Sequence, residues 1–198
     1  MFSQGLVLES EGSLDEAEEW YRQMAIADPS FPGPRRRIAA LRVARGKIDE
    51  AIEGLCRYVD VYQADGEAWY KLGELYLAQG AVDEAIFAFE ESLVEDPASL
   101  TRTLALAEAR YSRGKKEEGD LHLAKKYFAQ AIEISAGTNP RALMGYAATV
   151  NRLGTESGDD NSKALGALVS RTLVADYKTN SPALAQVVAD FVSASSSV

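Results

Sequence analysis

The stretch EAWYKLGELYLAQGAVDEAIFAFEESLVEDP, residues 67–97, decides the fold. Trp69, Leu72, Gly73 and Tyr76 follow one another at steps of three, one and three, which places them on one face of an α-helix. Gly80 comes next and suits the left-handed residue that closes a helix. Ala85, Ile86, Phe89 and Leu93 then share one face of a second helix, with Asp83 and Glu84 in its first turn, where acids complement the helix dipole. Pro97 ends it, because proline disfavours helix at the residue before it. The stretch therefore reads as helix, tight turn, helix and stop.

The chain repeats this unit. GAVDEA (80–85) echoes GSLDEA (12–17) and GKIDEA (46–51), so Gly12, Gly46 and Gly80 stand 34 apart. Ala17, Ala51 and Ala85 keep that spacing, as do the small residues Gly5, Ala39 and Gly73. The small pair Gly73 and Ala85 lets the two helices approach, with Trp69, Tyr76 and Phe89 filling the space around the contact. Ser13 with Glu16 reads as a capping box. In a fourth copy Gly114 is in step, but Ala124 and Phe128 come 39 after Ala85 and Phe89. Five residues have been inserted at that turn, over 115–121, and His122 is expected to lie in the inserted turn. Such an insertion costs little, because loop-closure entropy grows slowly with length.

A fixed period of this size marks a repeat architecture, and the order W-x2-L-G-x2-Y, A-x3-F, P matches the tetratricopeptide repeat. Trp69, Leu72, Gly73, Tyr76, Ala85, Phe89 and Pro97 fill every position. The expected fold is all-α, a right-handed superhelical solenoid of about four repeats over 1–153. A polar loop is expected at 154–162. Capping helices and a frayed tail are expected over 163–198, because the last apolar face of a solenoid needs a cover.

Bulk properties narrow the functions. The chain has 198 residues, 46% hydrophobic and 26% charged, which describes an ordinary folded chain. Its net charge of −9 argues against a nucleic-acid partner. One cysteine, Cys56, precludes an intrachain disulfide. No run of eighteen apolar residues is present to span a membrane, and MFSQGLVLESEG lacks the basic start of a signal peptide. The expected compartment is the cytosol.

Catalytic, cofactor and metal sites are not expected. His122 is the only histidine and has no second ligand type beside it, so it and Cys56 read as ordinary surface or packed residues. No phosphate-binding or nucleophile-elbow string occurs. Charge is more informative. Residues 1–34 hold seven acids and one base, whereas 35–47, RRRIAALRVARGK, hold six bases and no acid. Local pairing between the acidic second helix and the basic first helix that follows explains this better than a patch for an acidic partner.

Partner binding is expected on the solenoid's concave surface, which the resemblance to tetratricopeptide repeats implies is lined by the first helices. Its candidate residues are Arg36, Tyr70, Glu74, Leu77, Leu104, Glu108, Tyr111 and Leu143, with Ala40, Val43, Ala147 and Val150 in the same register. Ala40 stands where chaperone-binding repeats place an asparagine of their carboxylate clamp, which disfavours a chaperone adaptor.

LAKKYFAQAIEI (123–134), followed by NPRALMGYAAT (139–149), resembles the ER membrane protein complex subunit 2 family, as does DGEAWYKLGELYLAQGAVDEAIFAFEE (65–91). The resemblance implies a non-catalytic scaffold, peripheral to the cytosolic face of the endoplasmic reticulum membrane. It would hold cytosolic segments of membrane subunits in its groove, contact other subunits of that complex, and support insertion of transmembrane segments. The alternative is a free adaptor that binds peptide segments of chaperones or other partners.

Overall fold

The computed structural model describes residues 2–114, 119–153 and 160–194. Among them are eleven helices and no strand. They fall into two compact units, Met1–Glu95 and Asp96–Val198. The first contains α1 (Phe2–Ser10), α2 (Leu14–Ala27), α3 (Gly33–Ala44), α4 (Ile48–Val59), α5 (Gly66–Ala78) and α6 (Val82–Glu95). The second contains α7 (Leu100–Arg113), α8 (Asp120–Ile134), α9 (Pro140–Leu153), α10 (Asp160–Asn180) and α11 (Pro182–Ala194).

In the first unit, α1 packs on α2, α3 on α4 and α5 on α6, and each hairpin leans on the next through α2–α3 and α4–α5. The repeated phrase makes the same turn each time. Gly12, Gly46 and Gly80 have φ of 81°, 74° and 76°. Gly80 N–H donates to Leu77 O at 3.0 Å and Ala81 N–H to Tyr76 O at 2.9 Å, which satisfies the last carbonyls of α5. Gly46 with Lys47, and Gly12 with Ser13, repeat both bonds. A γ-turn follows: Leu14 N–H donates to Gly12 O across Ser13. This corrects the capping-box expectation. With φ −78° and ψ 60°, Ser13 serves the turn through its backbone, and its side chain makes no capping bond. Asp65 does cap: its Oδ1 accepts the Ala68 N–H at 3.1 Å.

The close contact inside a hairpin also differs from the expected one. What reaches Gly73 is the Phe89 ring, and a Cβ at Gly73 would lie 2.6 Å from Phe89 Cε1. Gly5 meets Tyr21 in the same way, at 2.5 Å. In the middle hairpin both residues change together: Ala39 replaces the glycine and Leu55 the ring, and both are buried. The filled volume is thus conserved while the pair that fills it varies. Ala17, Ala51 and Ala85 are fully buried, whereas Trp69 and Tyr76 are only half-buried and line an open groove instead of filling the core.

In the second unit, α7 packs on α8, α8 on α9, α9 on α10 and α10 on α11. One core joins Ala124, Phe128, Ala142 and Tyr146 with Val169 and Leu173 of α10 and Val188 and Val192 of α11. Asp120 and Leu121, expected in the inserted turn, form the buried start of α8. The cause is electrostatic. The Asp120 carboxylate sits between Arg110 and Arg113 of α7, with Arg110 Nη1 3.1 Å from Oδ1, which pulls the first turn of α8 onto α7. His122 likewise lies on α8, exposed, and not in the turn. Residues 160–162, expected in the polar loop, belong to α10. The rest of that loop (154–159), 115–118 of the insertion and the tail from 195 lie outside the described residues.

Candidate functional site

The expected binding face is partly open in the first unit. Arg36, Ala40 and Val43 of α3 line a cleft of about 260 Å³. Across from them stand Glu67, Ala68 and Lys71 of α5, not Tyr70, Glu74 and Leu77. Tyr70 tilts onto the Phe89 ring, 5.6 Å between centroids, Glu74 pairs with Lys71 at 3.0 Å, and Leu77 is half-buried. Sequence reading missed Arg37, Glu67 and Lys71. Glu67 and Lys71 are one turn apart on α5, a spacing that marks a shared helix edge. One end of the cleft is pinned: Arg36 Nη1 lies 3.3 Å from Asp65 Oδ2, which also accepts the Tyr58 hydroxyl at 2.6 Å. Burial, then the Asp65 carboxylate, pushes the Tyr58 phenol above its usual range.

The corresponding face of the second unit is occupied by the chain itself. Leu104 and Leu143 are each only 4% exposed and belong to the core shared with α10 and α11, so they are packing residues and not contact residues. Ala147 is buried there too. The Arg141 guanidinium grips the Glu108 carboxylate with two nitrogens. Arg152 lies over the Tyr111 ring at 5.1 Å and donates to the Tyr111 carbonyl at 3.0 Å. Glu108 and Tyr111 thus tie α7 to α9.

The basic stretch of α3 is paired locally. Arg45 reaches Glu18 at 2.8 Å and Asp15 at 2.9 Å, Arg42 reaches Glu18 at 3.2 Å, and Arg37 grips Glu9. Arg35 donates to the Pro29 carbonyl at 2.6 Å. No patch is left over for an acidic partner on this helix beyond the edge at Arg36.

A second groove was not anticipated. It holds about 420 Å³, with Trp69, Leu72 and Tyr76 of α5 as its floor and α4 and α6 as walls. Cys56 of α4 stands 3.4 Å from the Tyr76 hydroxyl. Phe87 of α6, 54% exposed, meets Trp69 edge-on at 5.8 Å between centroids. Asp60, Asp83 and Glu84 rim it. The one available signal was Phe87 itself, an aromatic on the polar side of its helix. Among the described residues no group of three or more His, Cys, Asp or Glu is placed to hold a metal ion, and no helix is long and apolar enough to cross a membrane.

A family model described as the EMC2 TPR-like repeat domain matches residues 3–113. The chain belongs to this family. A general tetratricopeptide-repeat model matches 115–138. Among similar proteins, ER membrane protein complex subunit 2-A of Xenopus laevis is 35% identical over 141 residues, which cover 71% of this chain and 46% of that one. The subunit 2 of Dictyostelium discoideum is 28% identical over 133 residues, covering 67% and 41%. The chain thus spans under half the length of the curated relatives it matches. Solved structures agree on the fold. The C-terminal part of a TPR repeat-containing protein from Cytophaga hutchinsonii has a TM-score of 0.71 at 21% identity, over 91% of this chain and 69% of that one. A crystal structure of MamA protein has 0.68 at 19%, over 89% and 91%. The fold is an all-α tetratricopeptide-repeat solenoid.

Proposed function

We propose that this chain is a non-catalytic scaffold of the ER membrane protein complex. It sits at the cytosolic face of the membrane through its partners and holds cytosolic segments of membrane subunits in the cleft between α3 and α5. By holding them it supports insertion of transmembrane segments. The observation that carries this reading is the family match over 3–113, which takes in the whole of that cleft. The cleft is suited to a peptide. Its floor is apolar (Ala39, Ala40, Val43, Leu55), and its edges carry Arg36 and Arg37 on one side and Glu67 with Lys71 on the other. Such a surface recognises backbone and mixed side chains without a dominant charge. The test is purification of the tagged full chain from membranes in mild detergent. Co-purification of multi-spanning ER membrane proteins supports the scaffold. Capture by an acidic C-terminal chaperone peptide, with no membrane proteins retained, contradicts it and favours the free adaptor.

A further inference from the structure

The groove over Trp69 and Tyr76 is informative when compared with the same place one repeat earlier. Thirty-four residues back, Tyr76 becomes Arg42 and Phe87 becomes Glu53. That earlier groove is closed by its own charges. Arg42 bridges it, with Nε 3.2 Å from Glu18 of α2 and Nη1 donating at 3.0 Å to the Glu50 carbonyl of α4. The Glu50 carboxylate is held by Lys47 at 3.4 Å and Arg42 at 3.8 Å. One repeat later the carboxylate survives as Glu84, but both cations are gone: Lys47 becomes Ala81 and Arg42 becomes Tyr76. Glu84 and Asp60 have no cationic partner among the described residues. Aromatic surface has replaced the bridging arginine, and the space it filled is open.

We propose that this groove docks a partner protein segment carrying a large apolar side chain next to an arginine or lysine. The apolar chain lies in the groove over Leu72 and Tyr76, against the Trp69–Phe87 pair. The cation faces Glu84 and Asp60, taking the part that Arg42 plays in the preceding repeat. Two facts commit the site to that chemistry. An exposed phenylalanine over an apolar floor gains from being covered, since burial of apolar surface is favourable in proportion to its area. Glu84 and Asp60, left without internal cations, favour a basic segment and repel an acidic one. The groove is separate from the cleft between α3 and α5, so either site can fail without the other.

Cys56, the only cysteine, stands in the groove wall and reports on its occupancy. The rate at which N-ethylmaleimide alkylates it is measured on the full chain with an acetylated alanine-based peptide carrying Arg-Leu-Phe-Arg, and with its Glu-Leu-Phe-Glu counterpart. At a concentration about ten times its dissociation constant the basic peptide slows labelling about tenfold, because the unprotected fraction falls as 1/(1 + [L]/Kd). The acidic peptide leaves the rate unchanged. Glu84→Gln combined with Asp60→Asn abolishes the protection, as does Phe87→Ser. These side chains are at the surface, and unaltered thermal melts confirm that the variants fold. Equal protection by both peptides, no protection at the solubility limit, or undiminished protection in the acid-deleted variant overturns the proposal. Protection that grows with protein concentration and needs no peptide also overturns it, since a second copy is then the occupant.

Discussion

Phe89 rests on Gly73 with no room for a methyl group between them. Gly73→Ala is therefore expected to lose about 1–3 kcal/mol through overpacking, despite the higher helix propensity of alanine. Gly145→Ala is expected to do the same, because its Cβ would lie 2.2 Å from Phe128 Cε1. Denaturant unfolding of both variants checks this, and midpoints at or above the parent's contradict the packing. The 34-residue period exposes Gly73 as a position that stays small. Nothing of the kind exposes Gly145, whose ring comes from α8, the helix before its own. Ala136 presents the opposite case. It takes a φ of 50° at the end of α8 and makes there the bond that Gly12, Gly46 and Gly80 make after the first helices, so Ala136→Gly is expected to raise stability by about 0.5–1 kcal/mol. Phenols add a pH dependence. Burial and the nearby Glu9 carboxylate push Tyr21 up to about 12. The Cys56 contact and burial push Tyr76 to a similar value. A folded phenol that keeps its proton longer than an unfolded one gives its full contribution below pH about 10 and loses it as the pH rises towards about 12. The urea midpoint is expected to fall across that window, and a midpoint that rises there contradicts the assignment.

Elements are joined by charge as well as by apolar faces. Glu18 is the hinge pin between α2 and α3: it is 7% exposed and accepts from Arg42 and Arg45. Removing its carboxylate leaves two guanidinium groups facing each other in a half-buried seam. Glu18→Ala is expected to cost about 1.5–3 kcal/mol, the range for hydrogen bonds to charged groups, and more than the loss of an exposed pair such as Lys71–Glu74. Parallel denaturation of Glu18→Ala and Glu74→Ala tests the ranking, and equal losses contradict it. This seam was legible, because seven acids with a single base, followed by six bases with no acid, have an obvious place to go. The helix pairing was legible too, since the turn glycine, the small residues and a large apolar residue recur at fixed steps. The fate of Leu104 and Leu143 was not. Register says which way a first-helix residue faces, but both leucines join a core that extends to α10 and α11, which do not repeat and so leave no periodic trace. The start of α8 escaped for a related reason: Asp120 is drawn onto α7 by two arginines that no motif links to it.

At the scale of the molecule, the sequence carries its family more plainly than its site. A stride of 34 residues specifies stacked helix pairs and therefore grooves, one kind between first helices and another between second helices. Which groove stays open is decided by single substitutions within the repeat, Arg42 against Tyr76 on one side and the small Ala40 on the other. The scaffold reading depends on the cleft that Ala40 borders. Ala40 is exposed on α3, so arginine there fills the cleft while preserving helix propensity and leaving the core intact. The most direct measurement is quantitative recovery of membrane proteins by the tagged full chain and by Ala40→Arg, side by side in mild detergent. The parent is expected to retain multi-spanning ER membrane proteins. The variant is expected to lose them about tenfold, equivalent to about 1.4 kcal/mol of binding, with its thermal melt unchanged. Equal recovery by the two chains would place the partners elsewhere, and no recovery by the parent would contradict the scaffold itself.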